Sequence, residues 1–148
     1  MKKWSLFLIG MLLAVSLFSS LGFAYNPVKQ HARDSYKRTA EVLVKAQCAA
    51  EQGHNYQGLG KAIAQQGLAR DYYYIRNFEY SIYHTLYARR IALRVIQRND
   101  PKLLKTEMYD QTEISYINKL PKDEELDLKL KVIEKDESAV KVRINLEL

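Results

Sequence analysis

From Val28 to Ile117 the apolar residues recur every three or four positions, and from Leu126 onward they recur every second position. A spacing near 3.6 holds side chains on one face of a helix, whereas a spacing of two holds them on one face of a strand. This change of period is the strongest constraint in the sequence. It predicts an α+β chain that is mostly helical: a long central helix, one or two shorter antiparallel helices, and a C-terminal β-hairpin.

The helical part has clear punctuation. Asn26-Pro27 is an N-cap residue followed by proline at the first helical position. Val28, Ala32, Tyr36, Ala40, Leu43, Ala46 and Ala50 then form a thin, alanine-rich seam suited to close helix approach, and Gly53-His54-Asn55 ends it. A second stripe keeps one phase through Ala64, Leu68, Ile75, Phe78, Ile82, Leu86, Leu93 and Ile96. It predicts one helix over residues 56–98, roughly 60 Å long at 1.5 Å per residue, with Asn77 available as a cap if the chain bends there. Pro101 opens a third helix that Leu120-Pro121 stops.

The alternating tail reads as two strands. Leu126, Leu128, Leu130 and Val132 face one way, and Val140, Val142, Ile144, Leu146 and Leu148 match them across a turn near Lys135-Asp136-Glu137. A lone hairpin is marginal in water. Its apolar side chains, each worth about 1.5–3 kcal/mol when buried, require cover from the helices or a second subunit. The expected organisation is one domain over 25–148, helical over 25–120 and hairpin over 121–148.

Residues 1–24 read as a secretory signal peptide. Lys2 and Lys3 precede an almost unbroken apolar run from Leu6 to Phe18, and Gly22 and Ala24 place small residues at −3 and −1. The run is short for a membrane span of about 20 residues. Cleavage is expected after Ala24, giving an exported, periplasmic or secreted protein with no membrane span after signal cleavage.

Charge is unevenly placed. Residues 25–100 carry 12 basic and 6 acidic side chains, and residues 101–148 carry 9 and 11. A basic first part suits another envelope protein or an acidic envelope polymer, and no nucleic-acid motif is present. The single cysteine, Cys48, has no internal disulfide partner. Within "AQCAAEQ" it reads as a small helix residue or as an intermolecular disulfide in a homodimer.

The densest chemistry lies in residues 70–98, which hold six tyrosines and six arginines. On a helical wheel Tyr72, Tyr73, Arg76, Tyr80, Tyr83, Tyr87, Arg90, Arg94 and Arg98 share one broad sector. Ser81, Thr85, Ala88 and Ala92 form a small-residue side for helix contact. Flat rings beside planar cations suit partner recognition, and Tyr80, Tyr83, Tyr87, Arg90 and Arg94 are the candidate contact residues. The same sector also suits a flank covered by the third helix or the hairpin, with rings buried and hydroxyls reaching outward. Arg89 stands apart, in the middle of the apolar stripe. A buried Arg needs a partner, and Glu107, Asp110 and Glu113 are the acids on the neighbouring element.

Other chemistry has no motif. His31, His54 and His84 lie far apart without i+3 or i+4 histidine partners, and "GLG" at 58–60 lacks the context of a phosphate loop. No haem attachment signal or G-x-S-x-G element occurs. No cofactor, metal or catalytic residue is expected. The sequence points to a non-catalytic adaptor or assembly protein of the cell envelope, with a holdase-like periplasmic chaperone and a glycan- or lipid-binding module as the alternatives.

Overall fold

The computed structural model describes residues 26–106, 109–128 and 130. Among them every regular element is helical: α1 (Pro27–Gly53), α2 (Leu59–Tyr74), α3 (Phe78–Asn99), a 3₁₀ segment (Pro101–Thr106), α4 (Gln111–Ile117) and α5 (Asp123–Asp127). None of these helices is long and apolar enough to cross a membrane.

The α+β expectation is therefore corrected. Leu126, read as the start of a strand, lies inside α5 and is 1% exposed, and Leu128 follows as the residue that caps that helix. The remainder of the expected hairpin, residues 131–148, lies outside the described residues. Alternation misled here because a one-turn helix needs only a single apolar anchor. Leu126 supplies it, and Asp123, Glu124 and Glu125 occupy the first turn, where carboxylates complement the helix dipole.

The long central helix is also corrected. The chain breaks at Ile75-Arg76-Asn77, and α2 folds back on α3. Arg76 adopts a left-handed conformation at φ 63°. Its N–H donates to the Tyr73 carbonyl at 3.0 Å, and the Asn77 N–H donates to the Tyr72 carbonyl at 2.9 Å. These two bonds satisfy carbonyls that would otherwise be orphaned at the end of α2. The Asn77 side chain then accepts from the Tyr80 N–H, so one residue closes α2 and opens α3.

The apparent continuity of the stripe does not survive this turn. Ala64 is exposed, Leu68 is half-buried and Ile75 is 70% exposed. The buried residues of α2 are Leu59, Ala62, Gln65, Gln66, Ala69 and Tyr72. Two glutamines on that face disguise it as a polar one.

Residue pairings give the topology. Ser35 and Thr39 of α1 meet Thr85 and Arg89 of α3, while Gly53 at the end of α1 lies against Asn99 at the end of α3. Those helices are parallel. Ala69 of α2 meets Ser81 near the start of α3, while the earlier Gln66 and Gln65 meet Thr85 and His84 further along it, so α2 runs antiparallel to both. The result is an up-down-up bundle with α4 and α5 laid on α3. The third helix expected over 101–119 is split, with the 3₁₀ segment first and α4 restarting at an Asp110 cap.

The alanine seam of α1 packs as its spacing implies. Ala32, Ala40, Ala46, Ala49 and Ala50 are all fully buried. The α1 start matches the sequence, with the Asn26 side chain accepting from the Lys29 N–H at 3.0 Å. Its stop differs in detail, because His54, not Gly53, takes the left-handed conformation, at φ 56°. Gly53 is needed for space instead. A Cβ there would stand 2.2 Å from Asn99 Oδ1, and the Asn99 amide donates to the carbonyls of Asn55 at 2.7 Å and Val95 at 2.9 Å.

Gly67, by contrast, lies inside α2 in open space, and a Cβ added there would meet nothing within 4 Å. Gly67→Ala is expected to raise unfolding free energy by about 0.5–1 kcal/mol by removing backbone entropy. Gly53→Ala is expected to lower it by about 1–3 kcal/mol through overpacking. Urea denaturation of the two variants checks both signs.

Candidate functional site

The expected Tyr/Arg contact face is largely internal. Tyr87 is 1% exposed and Tyr83 is 7% exposed, so the rings of these two candidate contact residues are packed inside the helices. The cause is α5 and the α4 end folding over this sector. Tyr87 donates through its hydroxyl to Asp127 Oδ2 at 3.3 Å and stacks beneath the Arg90 guanidinium, 5.0 Å from its ring centre. Tyr83 donates to Glu79 at 2.7 Å and meets the Tyr116 ring edge-on at 6.2 Å. Burial, followed by the hydrogen bond to Glu79, pushes the Tyr83 phenol up to about 12. Arg90 is half-buried and paired with Asp123, and Arg98 donates to the Gln57 carbonyl at 3.1 Å. Only Tyr80 and Arg94 of the five candidate residues are exposed.

Arg89 is 2% exposed, and of the three acids considered for it, Glu113 is the partner. Its guanidinium forms a two-pronged pair with that carboxylate at 2.8 and 2.9 Å. It also donates from Nε to Thr39 Oγ1 at 2.9 Å and from Nη2 to the Ser35 carbonyl at 2.9 Å. Glu113 receives two further donors, Arg38 Nη2 at 3.0 Å and the Asp110 N–H at 3.2 Å. The last of these belongs to a capping box, in which the Glu113 N–H donates back to Asp110 at 2.7 Å. A buried charge is costly unless paired and hydrogen-bonded; here both are.

A connected polar seam extends from this pair. Thr39 donates to the Thr85 carbonyl, Thr85 donates to Gln66 Oε1 at 2.7 Å, and Gln66 Nε2 donates to the Tyr36 carbonyl at 3.0 Å. Beside it, Gln65 Nε2 donates to the Leu126 carbonyl and to Asp127, each at 3.0 Å. That leaves Gln65 Oε1 as the acceptor toward His84 Nδ1, 2.6 Å away. The His84 ring stacks on Tyr72, with centres 5.0 Å apart. Sequence spacing carried no signal for Gln65, Gln66 or His84, since their burial depends on partners from three helices.

The surface chemistry concentrates at the α2–α3 corner. Tyr74 is 64% exposed, Ile75 70% and Tyr80 43%. Arg76 is held in the left-handed conformation between the first two and the third, at a cost of roughly 1–2 kcal/mol for a residue with a Cβ. Tyr73 supports the corner from beneath, with its ring 5.4 Å from Phe78 and 6.2 Å from Tyr74. Cys48 is exposed on α1. Among the described residues no group of three or more His, Cys, Asp and Glu side chains could hold a metal ion.

Compared with protein-family models, with curated proteins and with solved structures, the chain matches none.

Two predictions test this framework. Glu113→Ala, which strands the Arg89 charge, is expected to lower unfolding free energy by about 3–5 kcal/mol, and an Arg89→Met, Glu113→Leu pair to recover more than half of that loss. Urea denaturation measures both. The second concerns Asp110. Burial opposes its ionisation, but the Glu113 N–H and the Arg38 guanidinium outweigh burial and hold the carboxyl below its ordinary value of 3.8. The unfolded chain therefore takes up this proton first, so the contribution is fully present above about pH 4 and lost as pH falls through the lower, folded value. Asp110→Asn should lower Tm at pH 7, where the carboxylate's contribution is fully present, and flatten the acid limb of the Tm–pH profile so that the variant and the parent converge at low pH.

Proposed function

We propose that this is an exported, non-catalytic interaction protein of the cell envelope that captures a partner protein through the α2–α3 corner. The observation that carries this reading is the pairing of exposed Tyr74 and Ile75 with Arg76 in a left-handed conformation. Large apolar side chains at a protruding turn, next to an arginine, supply the residue types that dominate protein–protein hot spots. The ring cluster of Tyr73 and Phe78 beneath them fixes the corner in advance of binding, which reduces the ordering cost of association. Export rests on the basic start, apolar run and small-residue exit of residues 1–24.

This reading moves the contact surface from Tyr83 and Tyr87 to Tyr74, Ile75, Arg76 and Tyr80. Its test is photocrosslinking in cells with a photoreactive residue replacing Tyr74, read by mass spectrometry, with exposed Leu103, beyond the far end of α3, as a surface control. One discrete adduct at Tyr74, lost in an Ile75→Asp background whose Tm is unchanged, is the expected result. A broad ladder of adducts would instead identify a holdase. An adduct pattern shared by Tyr74 and Leu103, or none at Tyr74 in an exported and folded protein, would overturn the corner as a contact site.

A further inference from the structure

A second surface, separate from the corner, has the make-up of a ligand site. Between α3, the 3₁₀ segment and α4 lies a cleft of about 300 Å³. Leu86 and Leu93 of α3, Leu104 of the 3₁₀ segment and Ile117 of α4 give it apolar walls, and Arg90 and Arg94 line it as well. Leu86 is fully buried, whereas Arg94 is exposed and Arg90 half-exposed, so the cleft runs from an apolar floor to a cationic mouth. No carboxylate lines it among the described residues.

The two arginines differ in how far they are committed. Asp123 occupies Arg90 Nη2 and the Tyr87 ring lies under its plane, yet Arg90 Nε is buried with no hydrogen-bond acceptor. Arg94, one helical turn away, has no ion pair or hydrogen bond among the described residues. Tyr109 completes one wall, and its ring is fixed against the buried Arg89 guanidinium at 5.4 Å. The wall is thus part of the same rigid network that holds α4.

We propose that this cleft binds a single-chain anionic amphiphile, with its apolar chain along Leu86, Leu93, Leu104 and Ile117 and its carboxylate at Arg94 and Arg90. Charge complementarity selects the head group, since guanidinium groups bind carboxylates with strong, directional hydrogen bonds. Size selects the tail. Ligand clefts span about 300–1,000 Å³, and this one lies at the small end, where one unbranched chain fits and a folded peptide segment or a two-chain lipid does not.

Isothermal titration with decanoate, below its micelle concentration, and with decan-1-ol tests the assignment on the full chain. Saturable one-to-one binding of decanoate is expected. Arg94→Gln, at an exposed position, should weaken decanoate about tenfold, the worth of one charge-assisted hydrogen bond, and leave decanol unchanged. Leu93→Trp, which fills the cleft, should abolish both while circular dichroism shows the fold retained. Ile75→Asp should change neither, so failure here and failure of the corner as a contact site are read separately. Absence of saturable decanoate binding, an Arg94→Gln variant that binds decanoate normally, or equal losses for decanoate and decanol would overturn the proposal. So would cosedimentation with anionic phospholipid vesicles without binding of the monomeric amphiphile, which would assign the arginines to a membrane surface.

Discussion

The Arg89–Glu113 pair is the constraint on which the rest of the bundle depends. A guanidinium placed in an apolar stripe must find an anion and fill its remaining donors, or the helix that carries it cannot be buried. Meeting that demand draws in Ser35 and Thr39 from α1 and Glu113 from α4. Because Glu113 is also the N3 residue of its own capping box, the side chain that neutralises Arg89 is the one that starts α4. Ion pairing and helix initiation are thereby a single event, and a seven-residue helix with few apolar residues gains a fixed place.

The same logic explains how α5 holds. Five residues cannot form a stable helix by themselves. Asp123 meets Arg90, Asp127 meets Lys61 and accepts from Gln65 and Tyr87, and Leu126 enters the core. These contacts consume much of the Tyr/Arg sector. Tyr83 and Tyr87 are buried rings whose hydroxyls donate to Glu79 and Asp127, and the residues left exposed are those of the corner at Tyr74–Arg76 and Arg94 at the edge of the cleft. Both surfaces are by-products of how the helices close: the corner exists because α2 reverses, and the cleft because the 3₁₀ segment and α4 bridge α3 without filling the space between them.

Legibility followed the kind of signal. The α1 seam, the Asn26-Pro27 start, the small-residue side of Ser81, Thr85, Ala88 and Ala92, and the need of Arg89 for an acid on the following element were all readable, since each depends on local spacing or on the cost of one isolated charge. The reversal at Arg76 was not, because an apolar phase that runs across a turn looks the same as one that runs along a helix. The polar face of α2 was hidden for a related reason. Gln65 and Gln66 read as surface residues until His84, Thr85, Tyr36 and Leu126 are present to take their hydrogen bonds.

The sequence by itself determined that most of residues 27–99 would be helical and amphipathic, where the first helix would begin, and that Arg89 would be buried beside an acid, because period, capping and charge burial act over a few residues. Only the tertiary structure decided that α2 folds back antiparallel between two parallel helices, that Leu126 anchors a helix, and that Tyr83 and Tyr87 face inward while Tyr74 and Ile75 face out. Those outcomes depend on which surfaces cover one another, and a side chain's exposure is fixed by the neighbour that arrives, not by the residue itself.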